Sequence, residues 1–249
     1  LPLFSVITIT FNNRDGLRKT ADSIQSQTHS DIEWIIIDGH SMDGTQDDFI
    51  NYSSAKIISE PDKGIYDAMN KGIERATGDY IIFMNAGDLF ANENILNDVS
   101  KFCTDAPDFI YGDAIEDDYL KRARPHSKIS WGMFTHHQAM FYNRLSLADM
   151  RYDQRYKIAA DYDLTLRFWK RAKHVVYATI PVCIFETGGV SQTNADTGRN
   201  EQFISRQRNK SCSTLQNHFI RLLQIIAWNI RKNNSRLYWR LKGELEKTK

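Results

Sequence analysis

Four short apolar runs, each closed by a polar cluster and separated by helix-patterned segments, occupy the first 88 residues and leave few folds open. Residues 4–10 (FSVITIT) are rich in β-branched side chains and stop at turn formers, the pattern of a buried strand. Asn12 or Asn13 can cap a following helix whose apolar side is Leu17, Ala21 and Ile24. Residues 33–38 (EWIIID) and 56–59 read as further strands; between them a helix opens at Asp43-Gly44-Thr45 and runs to about Tyr52. Ile65, Ala68, Met69, Gly72, Ile73 and Ala76 then recur at helical spacing, Gly78 ends that helix, and residues 80–84 (YIIFM) give a fourth strand. Such alternation predicts an α/β protein with a doubly wound, mostly parallel sheet and right-handed crossovers. Sheets of this kind bind ligands beyond the carboxyl ends of their strands. Thr10-Phe11-Asn12, residues 38–43, residues 60–64 and Asn85-Ala86-Gly87-Asp88 all fall there.

The second half is less regular. Residues 109–111, 137–142, 175–177 and 182–185 have strand character, and residues 161–172 form a helix that buries Leu164, Phe168 and Trp169. From Thr214 onward, Leu215, Phe219, Leu222, Leu223, Ile226 and Ile230 make one helical stripe, and Leu237, Leu241 and Leu245 a shorter one after Asn233-Asn234. Charge divides along the same line. Residues 199–249 hold 12 Lys and Arg against 3 Glu, net +9, which leaves the first 198 residues at −8 within a total of +1. Arg221, Arg231, Lys232, Arg236, Arg240 and Lys242 flank the stripes, with Trp228, Tyr238 and Trp239 among them. A basic amphipathic tail of this kind suits an anionic membrane surface. It suits equally a helix packed on the body of the protein, or a homodimer contact. No apolar run approaches the ~20 residues that cross a bilayer. The three cysteines (Cys103, Cys183, Cys212) are sparse, odd in number and without CxxC spacing, which fits a reducing compartment. The expectation is a cytoplasmic protein, peripheral at the inner face of the plasma membrane.

Taken together, SVITITFNN at 5–13, IIIDGHSMDGT at 35–45, EPDKGIYDAMNKGI at 60–73 and GDYIIFMNAGD at 78–88 resemble the family 2 glycosyltransferases. The resemblance continues through IYGD at 110–113, HHQAMFY at 136–142, AADYDLTLRF at 159–168 and FETGGVS at 185–191, and is strongest to bacterial members that build surface polysaccharides. It implies the GT-A fold with a C-terminal helical extension. Residues 1–205 would be the catalytic domain, with a nucleotide-sugar half (1–90) and an acceptor half (91–205), and residues 206–249 the helical tail. The implied donor is a nucleoside-diphosphate sugar, UDP by default with GDP and dTDP open. The implied acceptor is a hydroxyl of a glycan or polyprenyl-linked glycan, and the cofactor Mn²⁺ or Mg²⁺.

By the same resemblance Thr10, Phe11 and Asn12 line the nucleotide pocket and Asp38 contacts the nucleoside. A carboxylate can accept from a base N–H or ribose hydroxyls, and an aromatic ring can stack on a base. Lys63 and Gly64, ahead of a helix N-terminus, favour a diphosphate or a base carbonyl. Asn70 either anchors a loop or meets ligand, and Asp67 pairs with Lys71 at i,i+4 spacing. Asn85, Ala86, Gly87 and Asp88 stand where the family keeps Asp-x-Asp, so Asp88 is the expected metal ligand, with Asn85 in place of the first acid. A hard dication needs only one or two protein carboxylates if substrate phosphates and water complete its shell.

Asp161 matches the catalytic base of inverting members, with Ala160 where a Glu commonly precedes it. A carboxylate there would take the acceptor's proton as the hydroxyl attacks the anomeric carbon; N-capping of the helix is the competing role. His136, His137 and Gln138 match an acceptor-side segment. Adjacent residues of a strand point to opposite faces, so one histidine at most is expected to face the site. Gly188-Gly189-Val190-Ser191 is expected to form a backbone turn beneath the acceptor. Asn85 and Ala160 also leave room for an inactive, sugar-nucleotide-binding scaffold of the same fold. A Rossmann dehydrogenase is disfavoured because TFNNRDG, not GxGxxG, follows the first strand. Nucleic-acid binding lacks a recognisable module and a basic body.

Overall fold

The computed structural model describes residues 1–116, 119–186 and 193–242. The first half runs β1 (Phe4–Thr10), α1 (Arg14–Gln25), β2 (Ile32–Asp38), β3 (Ala55–Ser59), α2 (Ile65–Arg75) and β4 (Tyr80–Phe83). The second contains β5 (Leu89–Phe90), α3 (Ile95–Ser100), β6 (Phe109–Glu116), β7 (Tyr119–Lys121), β8 (Met140–Asn143), α4 (Arg144–Leu147), α5 (Ala160–Trp169) and β9 (Val175–Phe185). Three helices close the described chain: α6 (Ala195–Arg208), α7 (Thr214–Asn233) and α8 (Ser235–Lys242).

The strands join in one sheet ordered β3-β2-β1-β4-β8-β6-β9-β5, with β7 paired to β6. β1, β2, β3 and β4 are parallel; β8 enters antiparallel between β4 and β6, and β9 returns parallel to β6. Side chains alternate across this sheet. Ile7, Ile9, Ile35 and Ile37 join one core with α2 and α5, while Phe4, Val6, Trp34 and Ile36 join a second core with α1 and α3. Burial on both faces explains why these strands are continuously apolar. The parallel strands end together, so the loops after β1, β2 and β4 meet at one edge.

Four expectations change in detail. The segment after Asp43 is a 3-10 turn (Thr45–Asn51), not an α-helix. Residues 175–185 are one strand, not two, because β9 bulges between Tyr177 and Cys183 while β6 runs on from Tyr111 to Ala114 opposite it. That bulge needs glycine: a Cβ on Gly112 would lie 2.6 Å from Val182 Cγ2 and 2.8 Å from the Ile180 carbonyl. Residues 137–139 make a 3-10 turn that precedes β8, so the expected strand starts late. Trp169 is only partly buried, whereas Leu164 and Phe168 are in the core.

The tail is packed on one side and open on the other. Asn217 and Ile220 are buried, Arg206 Nε donates to Asn217 Oδ1 at 2.5 Å, and Gln224 Nε2 donates to Gln202 Oε1 at 2.8 Å. Arg231 reaches into the body, where its Nη2 is 2.6 Å from Glu116 Oε1. The sequence stripe faces outward instead, with Leu215, Phe219, Leu222 and Ile226 all exposed. The expected boundary at 205/206 falls inside α6. The 188–191 turn and Leu245 lie outside the described residues. No helix among the described residues is long and apolar enough to cross a membrane.

Candidate active site

The donor-side loops are laced together at the sheet edge. Asn13 caps α1 by accepting from Gly16 N–H, and its amide donates to the Ala86 carbonyl at 3.1 Å. Thr20, one turn further on, accepts from Gly87 N–H at 2.9 Å and donates to the Asp88 carbonyl at 2.8 Å. A polar face of α1 therefore holds the 85–88 turn in place. Asn12 sits in the left-handed region (φ 48); its N–H donates to Ser41 Oγ, and its Oδ1 accepts from Met42 N–H, both at 2.8 Å.

Of the residues assigned to the nucleotide, Phe11 is 65% exposed and stands beside Gly39. Thr10 is buried, with its Oγ1 lacking a partner. Asp38 is turned fully inward: its carboxylate accepts from Ser41 N–H, Ser41 Oγ (2.5 Å) and Ser59 Oγ (2.6 Å). Lys63 N–H donates to Asp67 Oδ2, and Gly64 is the N-cap of α2. None of these residues lines the central cavity. Asn70 is a loop anchor, bonding both the N–H and the carbonyl of Tyr152. Lys71 pairs with Asp62 at 2.6 Å and Glu60 at 2.9 Å more closely than with Asp67 at 3.7 Å.

The cavity, about 340 Å³, lies between the 85–88 turn, the 133–138 segment and the start of α5. Asn85, Asp88, His137, Asp161 and Glu186 all line it. Asp88 is 5% exposed; its Oδ2 accepts from Gln138 Nε2 at 2.6 Å and its Oδ1 from Glu186 N–H at 3.0 Å. Burial pushes its carboxyl up to about 7 against those two donors. Gln138 is itself buried, so the amide assigned to the acceptor is spent on Asp88.

Both histidines line the cavity, contrary to the strand argument, because they lead into a 3-10 turn whose side chains do not alternate. His137 lies between the two halves of the site: Nε2 is 3.1 Å from Asn85 Nδ2, and Nδ1 is 3.8 Å from Asp161 Oδ2. Burial lowers its pKa to about 3, so the ring is neutral at physiological pH. His136 stacks on Phe185 and lies 3.1 Å from Glu116 Oε2. Glu116 is fully enclosed. Burial alone would raise its carboxyl, but Lys121, the His136 bond and Arg231 hold it well below the usual range.

Asp161 stands in the first turn of α5 with its carboxylate in the cavity, accepting from Tyr162 N–H at 2.7 Å. Burial lifts its pKa to about 6, helped by the nearby Glu201 charge. Asp161 is not the N-cap, which is Ala159, and the approach to the helix is held from another element. Glu201 of α6 accepts from the N–H groups of Lys157, Ile158 and Ala159, each at 2.8 Å. Asp161 bonds the first turn through Oδ1 alone, while its Oδ2 lies toward His137 in the cavity, and a carboxylate with a raised pKa is suited to general base work near neutral pH. Glu201, Glu186 and Glu116 were not singled out from the sequence. Each acts across a long stretch of chain, and nothing in its local pattern marks it.

The mixed sheet, with the 85–88 turn and Asp161 opening onto one cavity, has the GT-A architecture. The profile described as "Glycosyl transferase family 2" matches residues 5–155, and the chain belongs to that family and is a glycosyltransferase. It is 32% identical over 230 residues to a PGL/p-HBAD biosynthesis glycosyltransferase of Mycobacterium bovis, covering 82% of this chain and 84% of the relative. A putative teichuronic acid biosynthesis glycosyltransferase, TuaG of Bacillus subtilis, is 35% identical over 99 residues, or 38% of this chain and 39% of TuaG. Among solved structures, S. aureus TarS 1–349 in complex with UDP-GlcNAc superposes with a TM-score of 0.72 at 16% identity, covering 96% of this chain and 78% of that one. A mannosyltransferase from Pyrobaculum calidifontis, in complex with GDP-Man and Mn²⁺, gives 0.69 at 14% identity, covering 97% and 79%.

Proposed function

We propose that the enzyme moves a sugar from a nucleoside-diphosphate donor, UDP by default, to a hydroxyl of a surface glycan or its lipid-linked precursor, with inversion at the anomeric carbon. The observation that carries this reading is the placement of Asp161: its carboxylate, raised to about 6, shares one cavity with the 85–88 turn and turns Oδ2 toward His137. The donor's nucleoside lies along Phe11, whose exposed ring offers a stacking face, with Thr10 and Asn12 beside it. Asp38, locked onto Ser41 and Ser59, shapes that loop from below. Lys63 and Gly64 stand at the α2 N-terminus, where the helix dipole favours an anion. The diphosphate lies toward the 85–88 turn, and the acceptor enters between Asp161 and the two histidines.

Asp161 takes the hydroxyl proton as the oxygen attacks, and neutral His137 orients that carboxylate and Asn85. The oxygen donors of the turn suit a hard dication, because Asn85 Oδ1 is buried without a partner and carboxylates lie within the same cavity. Mn²⁺ or Mg²⁺ held there would neutralise charge on the diphosphate leaving group. The exposed stripe of α7, beside Arg221 and Lys232, supports attachment of the tail to an anionic membrane surface that presents a lipid-linked acceptor.

The test pairs Asp161→Asn with wild type. UDP release would be followed over a panel of UDP-, GDP- and dTDP-sugars with polyprenyl-linked glycan acceptors, alongside nucleotide-induced thermal stabilisation. Loss of turnover with nucleotide stabilisation retained supports the base assignment. Undiminished turnover in the variant overturns it, and product with the donor's anomeric configuration overturns inversion.

A further inference from the structure

Gly87 occupies the middle of the donor-side turn with φ +109, a region that favours glycine. A second reason for glycine there is steric. A Cβ built on Gly87 would lie 2.0 Å from Glu186 Oε2 and 2.8 Å from Glu186 Cδ. The Glu186 carboxylate thus fills the volume that any side chain at position 87 would need. It arrives from just beyond the end of β9, almost a hundred residues further along the chain, and its backbone is pinned to the same turn through the bond from Glu186 N–H to Asp88 Oδ1.

The oxygens around this point divide into two sets. Both carboxylate oxygens of Asp88 already receive protein N–H donors, from Gln138 and Glu186, in a side chain that is 5% exposed. Bonds to a buried carboxylate are strong and fix its orientation, and at 5% exposure Asp88 is the less accessible of the two carboxylates. Glu186 and Asn85 differ. The Glu186 carboxylate is about half exposed and lines the cavity, with Lys19 Nζ at a loose 3.9 Å from Oε1. Asn85 Oδ1, in the same cavity wall, is buried with no partner. An acceptor oxygen left unsatisfied in a protein interior is costly unless a ligand meets it.

We propose that Glu186 and Asn85 Oδ1 are the protein ligands of the divalent cation, and that Asp88 is a positioning residue that holds Glu186 over Gly87. One carboxylate and one amide oxygen, completed by donor phosphates and water, is an ordinary shell for Mg²⁺ or Mn²⁺. The side chain missing at position 87 is thereby replaced by one delivered from a different strand. This assignment rests on the 85–88 turn being the donor diphosphate site.

The test is binding of Mn²⁺ to the full chain in the presence of UDP, read by loss of the free-ion electron paramagnetic resonance signal and by melting temperature, with no turnover involved. Glu186→Gln should weaken Mn²⁺ at least about tenfold while leaving metal-free UDP binding and the unliganded melting temperature near wild type. Lys19→Met should tighten Mn²⁺ modestly, because a competing cation is removed. Asp88→Asn keeps Oδ1 as acceptor for Glu186 N–H and, at temperatures where it remains folded, should keep Mn²⁺ affinity within about threefold. Wild-type Mn²⁺ affinity in Glu186→Gln would overturn the proposal, as would loss of Mn²⁺ confined to folded Asp88→Asn. UDP binding without Mn²⁺ binding in the wild type also overturns it, whereas absence of UDP binding refutes the underlying donor-site reading.

Discussion

Replacing Asp161 with Asn is expected to give an inactive enzyme that is more stable than wild type at neutral pH. Burial, with repulsion from Glu201, raises the Asp161 carboxyl from 3.8 to about 6 despite the Tyr162 N–H donor. A rise of that size means the fold disfavours the ionised form by about 3 kcal/mol. The side chain keeps 22% of its surface exposed, so solvent screening reduces the figure to about 1–3 kcal/mol. The folded-state value lies above the unfolded one, so the folded protein binds this proton more readily. The penalty is therefore absent below about pH 3.8, grows from there to about 6, and is complete above. An amide carries no such charge, and its oxygen still accepts the Tyr162 bond. At pH 7.5 the variant should melt higher by about 2–4 °C for each kcal/mol relieved, and at pH 4 the gap should close. Calorimetric melts at both pH values check this, alongside transfer activity. Wild-type kcat/KM should also fall about tenfold per pH unit below about pH 6. A variant melting lower than wild type at pH 7.5, or keeping the same advantage at pH 4, would refute the buried-charge reasoning.

Other consequences can be measured separately. Glu33 is raised by burial but held at about 2 by Lys56, Ser5 and Thr77, so it adds about 3 kcal/mol above pH 4.5 that is lost as pH falls toward 2. In denaturant melts the stability gap between wild type and Glu33→Gln should shrink by about 2 kcal/mol between pH 7 and pH 3; an unchanged gap contradicts this. Arg231→Met removes one of the cations on Glu116 while Lys121 remains, and should cost about 1–3 kcal/mol, with Arg231→Lys recovering part of it. Equal melting of all three proteins would show that the pair does not secure the tail. Exchanging Leu215, Phe219, Leu222 and Ile226 for Ser should reduce binding to anionic phospholipid vesicles severalfold and leave turnover on a soluble acceptor unchanged. A change in sedimentation instead would assign that stripe to a contact between copies.

The sequence carries the first half of the chain more clearly than the second, for a physical reason. From β1 to β4 each strand and helix follows its predecessor directly, so hydrophobic periodicity and turn chemistry mark them locally. The helical reading of residues 45–52 fails only in pitch. Beyond residue 88 the decisive contacts are distant. The bulge within residues 175–185 is accommodated by Gly112, a partner some seventy residues away. The histidine pair misleads because a strand periodicity was applied to a 3-10 turn. Asp38 and Asp88 stand where the motif puts them, yet Ser41, Ser59, Gln138 and the Glu186 N–H engage their oxygens. A motif marks a position along the chain, and only packing decides which way its side chain turns. The tail illustrates the same limit: its apolar stripe is real, but the face that docks is the more polar one, through Asn217, Gln224 and Arg231.

The placement of β5 bears on how the enzyme is made. Residues 89 and 90 directly follow the 85–88 turn, yet they pair with Cys183 and Ile184 at the far edge of the sheet. During synthesis the first four strands can assemble as soon as they emerge, while the turn at their edge stays tethered on one side only. His137 and Gln138 reach it about fifty residues later, and the β9 pairing and the Glu186 carboxylate leave the ribosome together, about ninety residues later. At typical elongation rates that delay is about 5–20 s. A nascent or prematurely terminated chain thus carries the parallel strands and the turn without a finished cavity, which is complete only once β9 is present.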